Sequence, residues 1–444
     1  MKLKIKSFYL TRRFFAFVFA AVMLFIAAYI FPALLSAVQI AFFVWLTLVL
    51  ADAAALYHRR KGIYAVRSVA ERLSNGNDNE IFLHIENRYP FLVDIEVIDE
   101  IPFQFQKRDV SFREKLNPAQ TKAIRYLLRP VKRGEYSFGR VNVFVTDILG
   151  FVSRRYSFGK ELIVPVYPSY IEMRKYELMA VSNRLTEYGI KRIRRIGHSS
   201  EFEHIRPYME GDDPRTVNPR ATARRVELMV NNYQEEKSQQ VYCLIDKGRT
   251  MQMPFEGMSL LDYSINASLV VSNIALMKED KAGLITFSNK ISNIVPAERR
   301  KTHIRKILET LYNQKTLYPE SDFEMLYATV RQRITRRSLL ILYTNFETGQ
   351  AMRRQLPYMK QLTTRHLLLV VIFENTELRQ ITDNKPSDLE GIYRKTIAEQ
   401  FAYNKILMTK ELNRYGIHTI LTRPADLTVN IINKYIEFKA RGMI

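Results

Sequence analysis

Only one cysteine, Cys243, occurs in 444 residues, which excludes an intrachain disulfide framework and agrees with a reducing compartment. Acidic residues are scarce beside basic ones, 45 against 67, leaving a formal net charge of +22. That excess suits an anionic partner, either a lipid surface or nucleic acid. There is no Gly-x-x-x-x-Gly-Lys-Ser/Thr loop, no His-Glu-x-x-His and no Gly-x-Ser-x-Gly, so P-loop nucleotide hydrolysis, zinc proteolysis and serine hydrolase chemistry have no motif. Internal repeats at solenoid periods and long low-complexity tracts are also absent, and the length leaves room for two or three ordinary domain cores.

The most telling absence is of charge. No charged residue occurs from Phe14 to Ala51, a run of 38 residues. As one straight helix it would measure about 57 Å, nearly twice a hydrocarbon core of about 30 Å. Pro32 lies near its middle, where a missing backbone donor and a restricted preceding residue favour a break. The reading is a transmembrane helical hairpin with spans over 14–31 and 33–56, within an anchor of residues 1–61. A cleaved signal peptide is the rival, since Lys2, Lys4, Lys6, Arg12 and Arg13 resemble a basic leader, but the second apolar run follows at once and acts as a stop. Arg12 and Arg13 precede the hairpin and Arg59, Arg60 and Lys61 follow it, so the positive-inside rule puts both ends, and the soluble domains after them, in the cytoplasm against the inner membrane.

Residues 62–170 show short alternating apolar runs, such as Ile81, Leu83, Ile85 and Val93, Ile95, Val97, punctuated by Gly134, Gly139 and Gly150. This pattern predicts a small β-sandwich. Residues 171–237 form a basic connector with weak periodicity, in which Lys191, Arg192, Arg194 and Arg195 make a cluster able to meet an anionic surface. No aromatic-rich strand accompanies the cluster as single-strand binders require, which argues against nucleic acid and for the bilayer. Residues 238–444 alternate strands, at 241–246, 282–287, 339–343 and 367–373, with helices at 260–277, 303–312, 352–362 and 395–412. Continuous apolar strands such as 367–373 point to a parallel sheet buried on both faces, an α/β doubly wound domain. Ligands of such sheets sit at the carboxyl ends of the strands, so Asp246 to Thr250 and Asn345 would line one crevice.

Asp246, Gly248 and Thr250 match in part the Asp-x-Ser-x-Ser of the metal-ion-dependent adhesion site, and the domain thereby resembles the von Willebrand factor A domain. Gly248 removes one hydroxyl of that motif, Asn345 replaces the later aspartate, and Ser321 stands in for the threonine. A hard cation such as magnesium wants several oxygen ligands, usually including carboxylates, and Asp246, Thr250, Ser321 and Asn345 offer few. The alternative is that Asp246 caps a loop or helix.

A further set of motifs spans nearly the whole chain. Gly197-His-Ser-Ser-Glu-Phe-Glu-His-Ile-Arg-Pro-Tyr208, Gly211-Asp-Asp-Pro-Arg215 and Ala221-Thr-Ala-Arg224 resemble the signature of a bacterial family, domain of unknown function 58. Lys132-Arg-Gly-Glu-Tyr136, Asp147-Ile-Leu-Gly-Phe151 and Asp246-Lys-Gly-Arg-Thr-Met251 are similar to that family's sandwich and first loop. The family's Ile-Asp-Trp is replaced by Val217-Asn218-Pro219. The resemblance implies an A-like domain behind a membrane hairpin, and a MoxR-type AAA+ ATPase as partner in a chaperone-like or assembly role. It also marks Glu201, Phe202, Arg206, Tyr208, Gly211, Asp212, Arg215 and Arg224 as signature or partner-contact positions. The expected function is a non-enzymatic membrane-anchored adaptor without a catalytic residue. The alternatives are a metal-dependent enzyme at Asp246 and a lipid or nucleic-acid binder acting through the connector.

Overall fold

The computed structural model describes residues 7–59, 61–107, 110–181, 201–209, 212, 214–225, 227–234, 238–383 and 388–444. The basic cluster Lys191, Arg192, Arg194 and Arg195 and the signature glycine Gly211 lie outside them. Contacts divide the chain into two units, Met1–Val166 and Tyr167–Ile444.

The first unit opens with a short strand, β1 (Phe8–Leu10), and two helices, α1 (Arg12–Ile30) and α2 (Leu35–His58), joined by a turn at Pro32–Leu34. Thr11 caps α1, its hydroxyl accepting the Phe14 N–H at 3.4 Å. Both helices are long and apolar enough to cross a membrane, and Phe19, Ile26, Ile40 and Phe43 point outward. The strands that follow are β2 (Ile63–Ser68), β3 (Leu73–Ser74), β4 (Asn79–Asn87), β5 (Val93–Asp99), β6 (Ser111–Leu116), β7 (Thr121–Leu128), β8 (Gly134–Phe138), β9 (Val141–Thr146), β10 (Val152–Phe158) and β11 (Leu162–Tyr167). They form sheets of order β1-β10-β9-β5-β6, β2-β4-β7 and β3-β11-β8. Strict alternation of buried and accessible residues along β4 and β5 turns one face of each inward. Leu83 and Ile85 of β4 thus share one core with Val97 of β5 and with Val143 and Val145 of β9.

The apolar hairpin is stitched to these sheets by polar groups. Asp52, buried in α2, accepts the N–H groups of Phe151 and Val152 at 2.8 and 2.9 Å. The end of α2 is capped from the sheets, Tyr89 donating its hydroxyl to Leu56 O at 2.7 Å and Arg154 donating to Arg59 O at 2.7 Å. Gly62 is required beside this cap, because a Cβ there would fall 2.1 Å from the Tyr89 ring. Deeper in the sheets, Arg67 pairs with Asp99, whose side chain has no solvent exposure, and Nε donates to Oδ2 at 3.1 Å. The Tyr126 hydroxyl donates to the same carboxylate, and the Arg67 guanidinium lies 5.1 Å from the Phe138 ring centre.

The second unit begins with α3 (Tyr170–Val181), whose Tyr176 joins the unit's core although it falls in the stretch read as connector. A hairpin of β12 (Glu201–Pro207) and β13 (Met229–Gln234) encloses α4 (Pro219–Arg225). Next come β14 (Gln240–Asp246), a small hairpin of β15 (Pro254–Phe255) and β16 (Met258–Ser259), α5 (Leu260–Met277), β17 (Lys281–Phe287) and β18 (Ile291–Glu298). The remainder is α6 (His303–Tyr312), α7 (Phe323–Arg333), β19 (Ser338–Tyr343), α8 (Gly349–Thr363), β20 (Leu367–Phe373), α9 (Thr376–Asp383), α10 (Leu389–Arg414), β21 (His418–Thr422) and α11 (Leu427–Ala440).

One six-stranded sheet organises this unit, in the order β18-β17-β14-β19-β20-β21. It is parallel except for the edge strand β18, which pairs antiparallel with β17 and carries Pro296. Both faces are covered. Cys243 and Ile245 point into a core with α5, α6 and α11, while Tyr242 and Leu244 point into another with α7, α8 and α10. Burial on both faces is why these strands read as unbroken apolar runs. Helix α5 is also long and apolar enough for a membrane span, but it is buried in the unit's core. Successive strands run outward from β14 in opposite directions, through β17 on one side and β19 on the other, so a crevice opens where their carboxyl ends diverge.

Candidate functional site

That crevice encloses about 440 Å³, and Asp246, Thr250, Ser321 and Asn345 all line it. Asp246 ends β14 and is 2% exposed. Its Oδ1 accepts the Gly248 N–H at 2.8 Å and the Ser321 hydroxyl, and its Oδ2 accepts the Thr344 hydroxyl at 2.7 Å. Burial raises its pKa above the ordinary carboxyl value, against the pull of Ser321, Thr344 and Gly248. Asp246 therefore ties three segments together: its own loop, the loop before α7 and the end of β19.

Gly248 has a steric reason. A Cβ there would meet Ser321 Oγ at 1.9 Å and Pro319 O at 3.2 Å. The serine that the adhesion motif carries at this position and a serine at 321 in its present place exclude one another.

Asn345 does not reach Asp246. Its Oδ1 accepts Lys405 Nζ, which also donates to Phe346 O at 2.5 Å. Lys405 projects from α10, and burial lowers its pKa to about 8, with Glu347 pulling in the opposite sense. From the end of β19 it is instead Thr344, one position earlier, that touches Asp246. Neither Thr344 nor Lys405 was marked in the sequence. The threonine closes an apolar strand, and the lysine is 60 residues from its partner inside a helix with no motif.

The donor set does not fit a tightly bound divalent cation. One carboxylate already accepts three hydrogen bonds, and the oxygen of Asn345 faces an ammonium group. Among the described residues no three His, Cys, Asp or Glu side chains gather in metal-binding proximity. Millimolar magnesium or manganese is therefore expected to leave the melting temperature of the purified protein within about 1 °C of its metal-free value. A rise of several degrees that Asp246→Ala abolishes would restore the cation site.

The signature residues form a local arrangement. Arg206 and Asp212 make a bidentate pair at 2.8 and 2.7 Å, and Asp212 also accepts the Met209 N–H at 2.9 Å. Arg206 holds the Asp212 carboxyl below its ordinary value. Tyr208 is exposed and its N–H donates to Leu228 O at 2.8 Å, while Arg224 is exposed on α4. Glu201 and Phe202 lie on β12 and Arg215 in a single helical turn, Pro214–Thr216. Asn218 caps α4: its Oδ1 accepts the N–H groups of Arg220 and Ala221, each at 3.1 Å. An asparagine serves that position as well as an aspartate does.

Comparison with known proteins gives a match of residues 204–389 to the family described as "Protein of unknown function DUF58". The chain is 30% identical over 188 residues to the uncharacterized protein YeaD of Bacillus subtilis (strain 168), a match covering 42% of this chain and 44% of that protein. The chain thus spans less than half the length of this relative. Among solved structures, the conserved hypothetical protein BatB from Bacteroides thetaiotaomicron covers 46% of this chain and 99% of its own at 12% identity, with a TM-score of 0.31. An aerotolerance-related membrane protein from Bacteroides fragilis covers 45% and 98% at 12% identity, with a TM-score of 0.27. At those scores the likenesses carry no argument about fold or activity.

Proposed function

We propose that this protein is a membrane-anchored, non-enzymatic adaptor that docks other proteins on the carboxyl edge of its six-stranded sheet. In this reading the soluble units face the cytoplasm, the second unit is a von Willebrand factor A-like domain, and the partner is a MoxR-type AAA+ ATPase served in a chaperone-like or assembly role. The observation that carries it is the apolar surface at that edge. Leu317, beside the crevice residue Tyr318, is 99% exposed. Met253, in the loop after β14, is also exposed and lies against Asn375 at the start of α9. Beyond β20 the chain continues into α9 and α10, and Ile392, Tyr393, Ile397 and Phe401 of α10 are about half exposed. Exposed apolar residues gathered at one edge mark an interaction surface.

Two further facts agree with this reading. Asp246 is engaged in holding the crevice together, and α10 is joined to the crevice through Lys405 and Asn345. The test is co-purification of the detergent-solubilised protein from membranes of its own cell. An AAA+ ATPase is expected to be retained by the wild type and reduced at least tenfold by Leu317→Asp combined with Ile397→Asp. Recovery of no such ATPase, or equal recovery by the variant, would count against the adaptor reading.

A further inference from the structure

The opposite, amino edge of the same sheet carries a second and smaller hollow. It encloses about 210 Å³ between the end of α7 and the last turn of α8, where Arg331, Gln361, Arg365 and His366 come together. His366 sits immediately before β20 and is pinned there by its backbone N–H, which donates to Leu362 O at 3.1 Å. The residue is 5% exposed, and its Nδ1 is shut off from solvent without a hydrogen-bond partner among the described residues. Buried polar groups are normally paired, so an imidazole whose inner nitrogen has no partner sets a polar, internally unsatisfied ring in the wall of this hollow.

The charge around it is of one sign. Arg331 and Arg365 are exposed, neither makes an ion pair among the described residues, and no acidic residue lines the hollow. Burial and the adjacent Arg365 both lower the His366 pKa, which keeps the ring neutral and leaves the positive charge to the two guanidinium groups. The Thr364 hydroxyl is spent on Gln361 O at 2.7 Å and offers the hollow no proton.

We propose that this hollow binds a phosphate group, held by the Arg331 and Arg365 guanidinium forks, with His366 completing the hydrogen bonding. Two planar forks, one from α7 and one from the turn after α8, together with an imidazole, present more donors than the two oxygens of a carboxylate can accept. The three or four oxygens of a phosphate group match them. This site lies at the other end of the sheet from the crevice and does not depend on the adaptor reading.

The test uses the full chain in phosphatidylcholine nanodiscs, titrated with inorganic phosphate at constant ionic strength and followed calorimetrically. Saturable one-site binding is expected, weakened at least tenfold by Arg331→Gln and by Arg365→Gln, with melting temperatures unchanged. His366→Asn is expected to weaken it as well. Repeating the titration in discs containing phosphatidylglycerol separates the sources. Competition by these discs identifies a lipid headgroup, and undiminished binding identifies a free phosphate. No saturable binding by the wild type, or equal affinity in the two arginine variants, overturns the proposal.

Discussion

Asp99→Ala is expected to destabilise the first unit by about 3–5 kcal/mol, the cost of stranding one member of a buried ion pair. Arg67 would keep its charge with a side chain only 7% exposed, and the Tyr126 hydroxyl would lose its acceptor. Asp99→Asn preserves the shape and removes the charge, so its loss should be smaller. The double variant Asp99→Ala with Arg67→Met leaves no charge behind and should recover most of the loss, because the cost lies in the unpaired guanidinium. Denaturant unfolding of the solubilised protein, followed by fluorescence, measures all three. Equal destabilisation in the single and double variants would show that packing around Arg67, not its charge, supports these sheets.

The second large effect is a pH dependence arising from Lys405. Its folded pKa is about 8, below the ordinary lysine value of 10.5. Between these values the unfolded chain holds a proton that the folded one has released, so stability from this group rises with pH across that window. Below about pH 8 the lysine is charged in both states, and the cost of burying the charge is fully present. Raising the pH from 7.5 to 9.5 should therefore add roughly 2 kcal/mol through this residue. Other lysines and tyrosines titrate nearby, so the quantity to measure is the difference between wild type and Lys405→Met. Parallel stability curves for the two proteins would show that Nζ is solvated, and would remove the buried link between α10 and Asn345.

The helical hairpin was legible because lipid tolerates so few residue types. A charge-free run of 38 residues broken near its middle by Pro32 has little else to be, and the structure puts its turn at Pro32–Leu34. The helix α5 shows the limit of that reasoning, since its apolar sequence suits lipid and a buried core equally. The strands β14, β19 and β20 were legible for a related reason: covering both faces of a sheet requires unbroken apolar runs. Elements with one accessible face were harder. Helix α7 carries several polar and charged residues, and β18 is a partly exposed edge strand containing Pro296, so neither repeats an apolar pattern strongly enough to be read.

The candidate site divides along the same line. Asp246 and Asn345 were found because strand ends in a doubly wound sheet can be located from the apolar runs before them. Thr344 and Lys405 were not, because what matters about them is a contact across 98 and 60 residues of chain.

The sequence by itself therefore determined where this protein is apolar, basic or without charge, and hence its apolar helical hairpin and the alternation of strands and helices in its second unit. Only the tertiary structure decided what the polar residues do. Asp52 joins the apolar helix α2 to a sheet, Gly248 leaves room for Ser321, and Lys405 answers Asn345. The physical reason is that burial of apolar surface acts without direction and so leaves a periodic trace along the chain. Hydrogen bonds and ion pairs depend on geometry between distant residues, which no local pattern records.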